Sequence, residues 1–258
     1  MTRQYTDHFA PDGLLTRGTV LVVPGRGETR AVYERFGRRL AADAYRVRVV
    51  DTPDLSGDDL DASLDALAAQ LAEAADGTAP EPGGTAAAPL VLVGADSGAA
   101  AVAALVADPA RARRLRADGV VLAGLPGRAA ALTEAWDEEL DVRTSCPTHR
   151  GVLTDDTRVR RGELNAPVPE AVLESAHDSA ADLPHLLLVG DADPLADRDA
   201  LALTAQKLDS ARLAVVHGAH HDVLNDKQHR SVAAEVVMFL EALREGLTPA
   251  ITVVSSAW

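Results

Sequence analysis

The chain has 258 residues, 47% hydrophobic but only 3% aromatic, so a sizeable core is available and must be built from Ala, Val and Leu. Its 39 acidic and 25 basic side chains leave a net charge of −14, which repels phosphates and argues against nucleic acid or an anionic membrane face as partner. One cysteine, Cys146, excludes an intrachain disulfide framework. It fits a reducing compartment; with no signal-peptide core at the start and no apolar run near the ~18–20 residues that span a bilayer, the expected setting is cytoplasmic.

Short apolar runs alternate with longer helical patterns, which predicts an α/β fold with a mostly parallel sheet and helices on both faces. In chain order the pattern gives a strand at Thr19–Val23, a helix at Ala31–Ala42, a strand at Arg46–Val50 and a helix at Asp59–Ala75. A breaker-rich stretch at Asp76–Thr85 reads as a surface loop. Next come a strand at Leu90–Val93, a helix at Gly98–Ala107 and a strand at Val120–Ala123. The rhythm then breaks from Arg128 to Asp182, a span too long for an ordinary connection. It is expected to be a small cap, set into a core formed by residues 1–127 and 183–258. Strands at Leu186–Val189 and Arg212–Val216 follow, with helices at Leu201–Leu208 and Ser231–Glu245. In the last helix Val232, Val236, Phe239, Leu240 and Leu243 share one face. The apolar tail from Ile251 is read two ways, packed on the domain or on a second copy as a homodimer.

Three turns follow predicted strands, where parallel sheets bind their ligands. Gly94-Ala95-Asp96-Ser97-Gly98 has the strand–elbow–helix context of G-x-S-x-G with aspartate at its centre. Gly190-Asp191-Ala192-Asp193-Pro194 and Gly218-Ala219-His220-His221-Asp222 complete the order nucleophile, acid, histidine.

These turns resemble those of the α/β-hydrolase superfamily. The segment from Pro24-Gly25-Arg26-Gly27-Glu28 to Tyr33, and that from Gly218 to Asp226, are similar to flanks of its monoglyceride lipase and lysophospholipase group. The resemblance implies Asp96 as nucleophile, His221 as base, Asp193 as the acid orienting it, and an oxyanion hole from the backbone N–H groups of Arg26 and Ser97. No cofactor and no metal is expected. A carboxylate needs no base to attack a saturated carbon, so the leading expectation is a hydrolase acting on a small or medium apolar molecule. It would work through a covalent Asp96 ester, which water activated by His221 then hydrolyses. Epoxide hydrolases and haloalkane dehalogenases follow that logic, but the tryptophan after the nucleophile and the cap tyrosines they use have no counterpart here. His149, His177, Thr148 and Arg150 are the donors left to replace them. Two alternatives stay open: a serine-type carboxylic ester hydrolase using Ser97, and a ligand-binding member with impaired catalysis.

Other features have plainer readings. Gly25-Arg26-Gly27 lacks the spacing of a dinucleotide fingerprint. His217, His220 and His221 lack a recognisable zinc spacing. Asp197 is a minor alternative to Asp193. Cys146 reads as a packed, inert thiol. Arg158, Arg160 and Arg161 read as a solvated basic patch, with recognition of a substrate carboxylate as the sharper alternative.

Overall fold

In the computed structural model, which describes residues 5–55, 59–78, 84–129 and 131–255, the apolar runs become a seven-stranded sheet. The strands are β1 (Thr6–His8), β2 (Gly18–Val23), β3 (Tyr45–Val49), β4 (Leu90–Ala95), β5 (Gly119–Ala123), β6 (His185–Gly190) and β7 (Ala211–Val216). Their order is β1-β3-β2-β4-β5-β6-β7, parallel throughout except for β1 on β3. Each predicted strand forms within one or two residues of its expected limits. β1 is an addition: three residues are too few for a periodic signal. Its Asp7 pairs with Arg46 and Arg48 of β3, at 3.2 and 2.7 Å, which is how β3 carries two arginines into the sheet.

Helices cover both faces, so β2, β4, β5 and β6 are buried on both sides. One face holds α2 (Leu60–Asp76), started by Asp59 accepting from the Ala62 N–H, and α3 (Ser97–Ala107). The other holds α1 (Glu34–Ala42), after a 3-10 turn at Arg30–Tyr33, and α9 (His229–Arg244). The apolar stripe of α9 buries Val232, Val236, Phe239 and Leu240 as its periodicity requires. Each such side chain contributes roughly 1.5–3 kcal/mol on full burial. α4 (Pro109–Leu115) and α8 (Arg198–Lys207) are started by Asp108 and Asp197.

The span from Arg128 to Asp182 contains α5 (Trp136–Arg143), α6 (Pro147–Asp155), a 3-10 turn at Glu163–Asn165 and α7 (Glu170–His177). α7 packs on α3 through Val172, Leu173 and Ala176, so the last part of this span belongs to the main helical layer. The earlier part lies over the strand ends. The N–H groups of His221 and Asp222 donate to the carbonyls of Val142 and Arg143, and that of Arg160 donates to Gly27. Residues 79–83 of the expected loop lie outside the described residues. Ile251, Val253 and Val254 of the tail are exposed. No helix among the described residues is long and apolar enough to cross a membrane.

Candidate active site

The Asp96 turn is tight because small residues permit it. A Cβ on Gly94 would run into the Gly98 carbonyl and the backbone of Ala99, and one on Gly98 into the carbonyls of Val23 and Pro24. Asp96 itself takes φ +48° and ψ −120°, a left-handed conformation that side chains other than glycine's rarely adopt. Its N–H donates to the Ala123 carbonyl, and its own carbonyl receives Ala99 and Ala100 N–H groups at the start of α3. Strain at this position is held by hydrogen bonds on both sides.

The turns after β6 and β7 converge on the same point. The His221 ring is buried, with Nδ1 2.9 Å from Asp193 Oδ2 and Nε2 3.0 Å from Asp96 Oδ1. Burial opposes charging the ring, but the two carboxylates outweigh it and lift its pKa to about 10. His221 is therefore an imidazolium at neutral pH and donates to both aspartates. Burial likewise opposes the Asp96 charge, yet Arg26 and His221 hold this carboxyl well below the usual carboxylate range.

The side chain of Arg26 carries the part of the site that sequence reasoning missed. Its backbone N–H donates to Asp96 Oδ2 at 2.8 Å, where an oxyanion-hole donor is expected. Its guanidinium also covers the carboxylate: Nε lies 2.9 Å from Oδ2 and Nη2 2.6 Å from Oδ1. The third nitrogen, Nη1, donates to the carbonyls of Leu164 and Ala166. Arg26 is only 8% exposed. The sequence shows an arginine three residues beyond a strand that adjoins the elbow strand, but no local pattern separates a side-chain role from a backbone one.

Asp96, Arg26, His221 and Asp193 thus form one buried, charge-balanced chain. Ser97 is not part of it. It opens α3 and lines a cavity of about 810 Å³ together with Arg26, whereas His221 and Asp96 line a separate one of about 10 Å³.

Beneath the chain lies a second buried network. Glu28 Oε2 accepts from the Gly25 N–H at 2.8 Å and from the Tyr33 hydroxyl. Burial and the nearby charge of Asp222 push the Glu28 carboxyl up to about 7. Asp222 pairs with His149 Nε2 at 2.9 Å and with Arg143 Nη1 at 3.6 Å. Donor atoms of Glu28, His149 and Asp222 lie within 4.8 Å of one another, but each already has protein partners.

The remaining sequence candidates sit elsewhere. Asp197 caps α8, so Asp193 is the acid beside His221. His217 pairs with Asp191 and His220 with Asp226. His177 bonds to Thr204 and Pro126, and Arg150 to Asp141. Thr148 and His149 line a different surface pocket, away from the elbow. Cys146 is buried. Of the basic patch, Arg158 and Arg160 line the large cavity while Arg161 covers the Trp136 ring.

A family model described as "Alpha/beta hydrolase family" matches residues 20–235. No curated protein sequence matches the chain. Among solved structures, the monoacylglycerol lipase of Paleococcus ferrophilus is similar with a TM-score of 0.68 at 19% identity, covering 93% of this chain and 98% of that one. A soluble variant of monoglyceride lipase from Saccharomyces cerevisiae gives 0.73 at 15% identity, covering 93% and 90%. A lipase-esterase related protein from Clostridium acetobutylicum gives 0.66 at 15%, covering 91% and 98%. With the parallel sheet, the elbow and the ordered turns, the match over most of its length places this chain in the alpha/beta hydrolase family, as a hydrolase whose fold is like that of the monoglyceride lipases.

Proposed function

We propose that the chain hydrolyses its substrate through a covalent ester on Asp96. The observation that carries the reading is the 3.0 Å contact between His221 Nε2 and the carboxylate at the apex of the strained turn, with Asp193 behind the ring. An Asp96 oxygen attacks a saturated carbon, the electron pair of the broken bond leaves with the leaving group, and an alkyl ester forms. Esterification removes the Asp96 charge, so His221 keeps only Asp193 as counter-ion and gives its proton to the leaving group. The neutral ring then takes a proton from the water that attacks the ester carbonyl. Asp96 Oδ2 already rests on the Arg26 N–H, which stabilises the oxyanion; such donors are worth roughly 2.7–4 kcal/mol. The tetrahedral intermediate collapses, the departing alkoxide takes the carboxyl proton and leaves as the alcohol, and Asp96 returns as a carboxylate beside the reprotonated His221.

The 810 Å³ cavity beside Arg26 is the substrate space in this reading. Leu55, Pro167 and Val168 give it an apolar wall, in keeping with the small or medium apolar substrate expected from the sequence. The lipases among the similar structures point the same way. Single turnover in heavy-oxygen water tests the route. Label should enter the Asp96 carboxylate, and His221→Gln should accumulate a mass adduct on Asp96. Label confined to the product alcohol would refute it.

A second reading, a ligand-binding member that does not turn over, is favoured by the closure of Asp96 under Arg26. It predicts ligand-induced stabilisation with no label in Asp96. The serine route through Ser97 lacks a hydrogen bond from Ser97 to His221 among the described residues, and predicts fluorophosphonate labelling of Ser97.

A further inference from the structure

Among the described residues that line the cavity, Arg26 is the arginine paired with the reacting group itself. Arg30 pairs with Asp51 at 3.1 Å, Arg158 with Asp156 at 3.0 Å and Arg160 with Glu163 at 3.3 Å. Those contacts are indifferent to the state of Asp96. The Arg26 pair is not: its Nε and Nη2 lie along the Asp96 carboxylate, and an ester there carries no charge. A buried guanidinium stripped of its counter-ion is strongly unfavourable. A neutral substrate would therefore raise the barrier to forming the intermediate by the loss of this pair.

The geometry offers a replacement. Nη1 is held by the Leu164 and Ala166 carbonyls, so the guanidinium stays at the site when Asp96 lets go. The released Nε/Nη2 edge presents two parallel donors, the arrangement that matches the two oxygens of a carboxylate. Arg26 lines the large cavity, and the apolar residues Leu55 and Val168 line it too, so an acid with a short hydrocarbon chain fits both.

We infer that Arg26 is the substrate-anion receptor of this site, and that the substrate is a small carboxylate whose own acid group takes over the guanidinium edge as Asp96 is esterified. The inference rests on the covalent Asp96 reading and refines its substrate class: an apolar chain ending in a carboxylate. It also gives Arg26 two states. In the resting state it holds the nucleophile closed, and a carboxylate competing for its edge exposes an Asp96 oxygen. Uncharged molecules of the same shape have nothing to exchange for Asp96.

Binding can be measured without turnover, by calorimetric titration of the full chain with pentanoate and with pentanamide. Wild-type protein should bind pentanoate at least tenfold more tightly than pentanamide. Asp96→Asn removes the internal competitor, and its pentanoate affinity should rise by a further tenfold or more. Arg26→Gln should erase the preference for pentanoate over pentanamide, both alone and combined with Asp96→Asn. Equal affinity for the two probes in wild type, or a preference that survives Arg26→Gln, overturns the assignment. The wild-type and Arg26→Gln comparison decides the matter even if Asp96→Asn does not fold. Inorganic phosphate, as a third probe, should bind no better than pentanamide, and tighter binding than pentanoate would overturn the carboxylate class. Loss of heavy-oxygen label from Asp96 with the pentanoate preference intact would refute the ester route alone. Loss of the preference with the label intact would refute the anion receptor alone.

Discussion

The Arg143 guanidinium, fully buried at the end of α5, donates through Nη2 to the Arg26 carbonyl at 2.8 Å. One arginine thus fixes the backbone of another whose N–H and side chain both meet the Asp96 carboxylate. Arg143 also bonds to Glu139 at 2.9 Å and lies 3.6 Å from Asp222. Replacing it takes this cation from two buried carboxylates, leaving Asp222 with His149 and Glu139 with the Gly162 N–H. Arg143→Met should lower unfolding free energy by about 3–5 kcal/mol in urea titrations, and the Arg26 turn should lose order with it.

His221 predicts an alkaline weakness. Its folded pKa of about 10 exceeds the unfolded value near 6.5, so the folded state holds the extra proton between those limits. The associated stability is complete below pH 6.5 and is lost as pH rises through 10. By linkage the loss is on the order of several kcal/mol. Denaturation series from pH 6 to 10 should show this decline, and His221→Gln should flatten it.

Glu28 acts in an adjoining window with the same sign. Its carboxyl, raised from 4.5 to about 7, binds more protons folded than unfolded across that range. Stability should therefore fall as pH rises from 4.5 to 7, because an ionised carboxylate is being forced into the buried network. Glu28→Gln should abolish this slope and raise stability at pH 8 by roughly 1–3 kcal/mol. An unchanged slope from pH 4.5 to 7 would show that the proton resides elsewhere.

Gly98 is fixed by the nearness of the Val23 and Pro24 carbonyls. Gly98→Ala should cost about 1–3 kcal/mol through overpacking and should shift the start of α3. Activity should fall by more than stability explains, since Asp96 and Ser97 move with it. Thermal melts and turnover measured on the same sample separate the two effects.

Asp96→Ser with Arg26→Leu places a hydroxyl at the apex and removes the cation that would be left unpaired. A fluorophosphonate should then label position 96, using His221 as base, while wild type stays unlabelled there. Labelling of Ser97 in the wild-type chain would instead favour the serine route.

Alternation of apolar runs with helical periods, and three glycine-bounded turns in order, made the sheet and the convergence of Asp96, Asp193 and His221 readable from the chain. These are local signals, each carried by a few neighbouring residues. What escaped depends on distant side chains meeting. Nothing near Arg26 reveals that its side chain rather than its backbone dominates the contact with Asp96, 70 positions away. His149 read as a free donor and proves to be the partner of Asp222. α5, α6 and α7 are short helices without long apolar periods, so the sequence gives no sign within the cap span that α7 packs on α3.

Every residue of α3 from Ser97 to Val106 is buried, and the helix is assembled almost wholly from alanine and valine. Neighbours on all sides leave no volume for a bulkier replacement, so this element is closed to drift in side-chain size. Diversification of what the protein accepts must then proceed along the wall of the large cavity, as at Leu55 and Val168, rather than in the helix that follows Asp96.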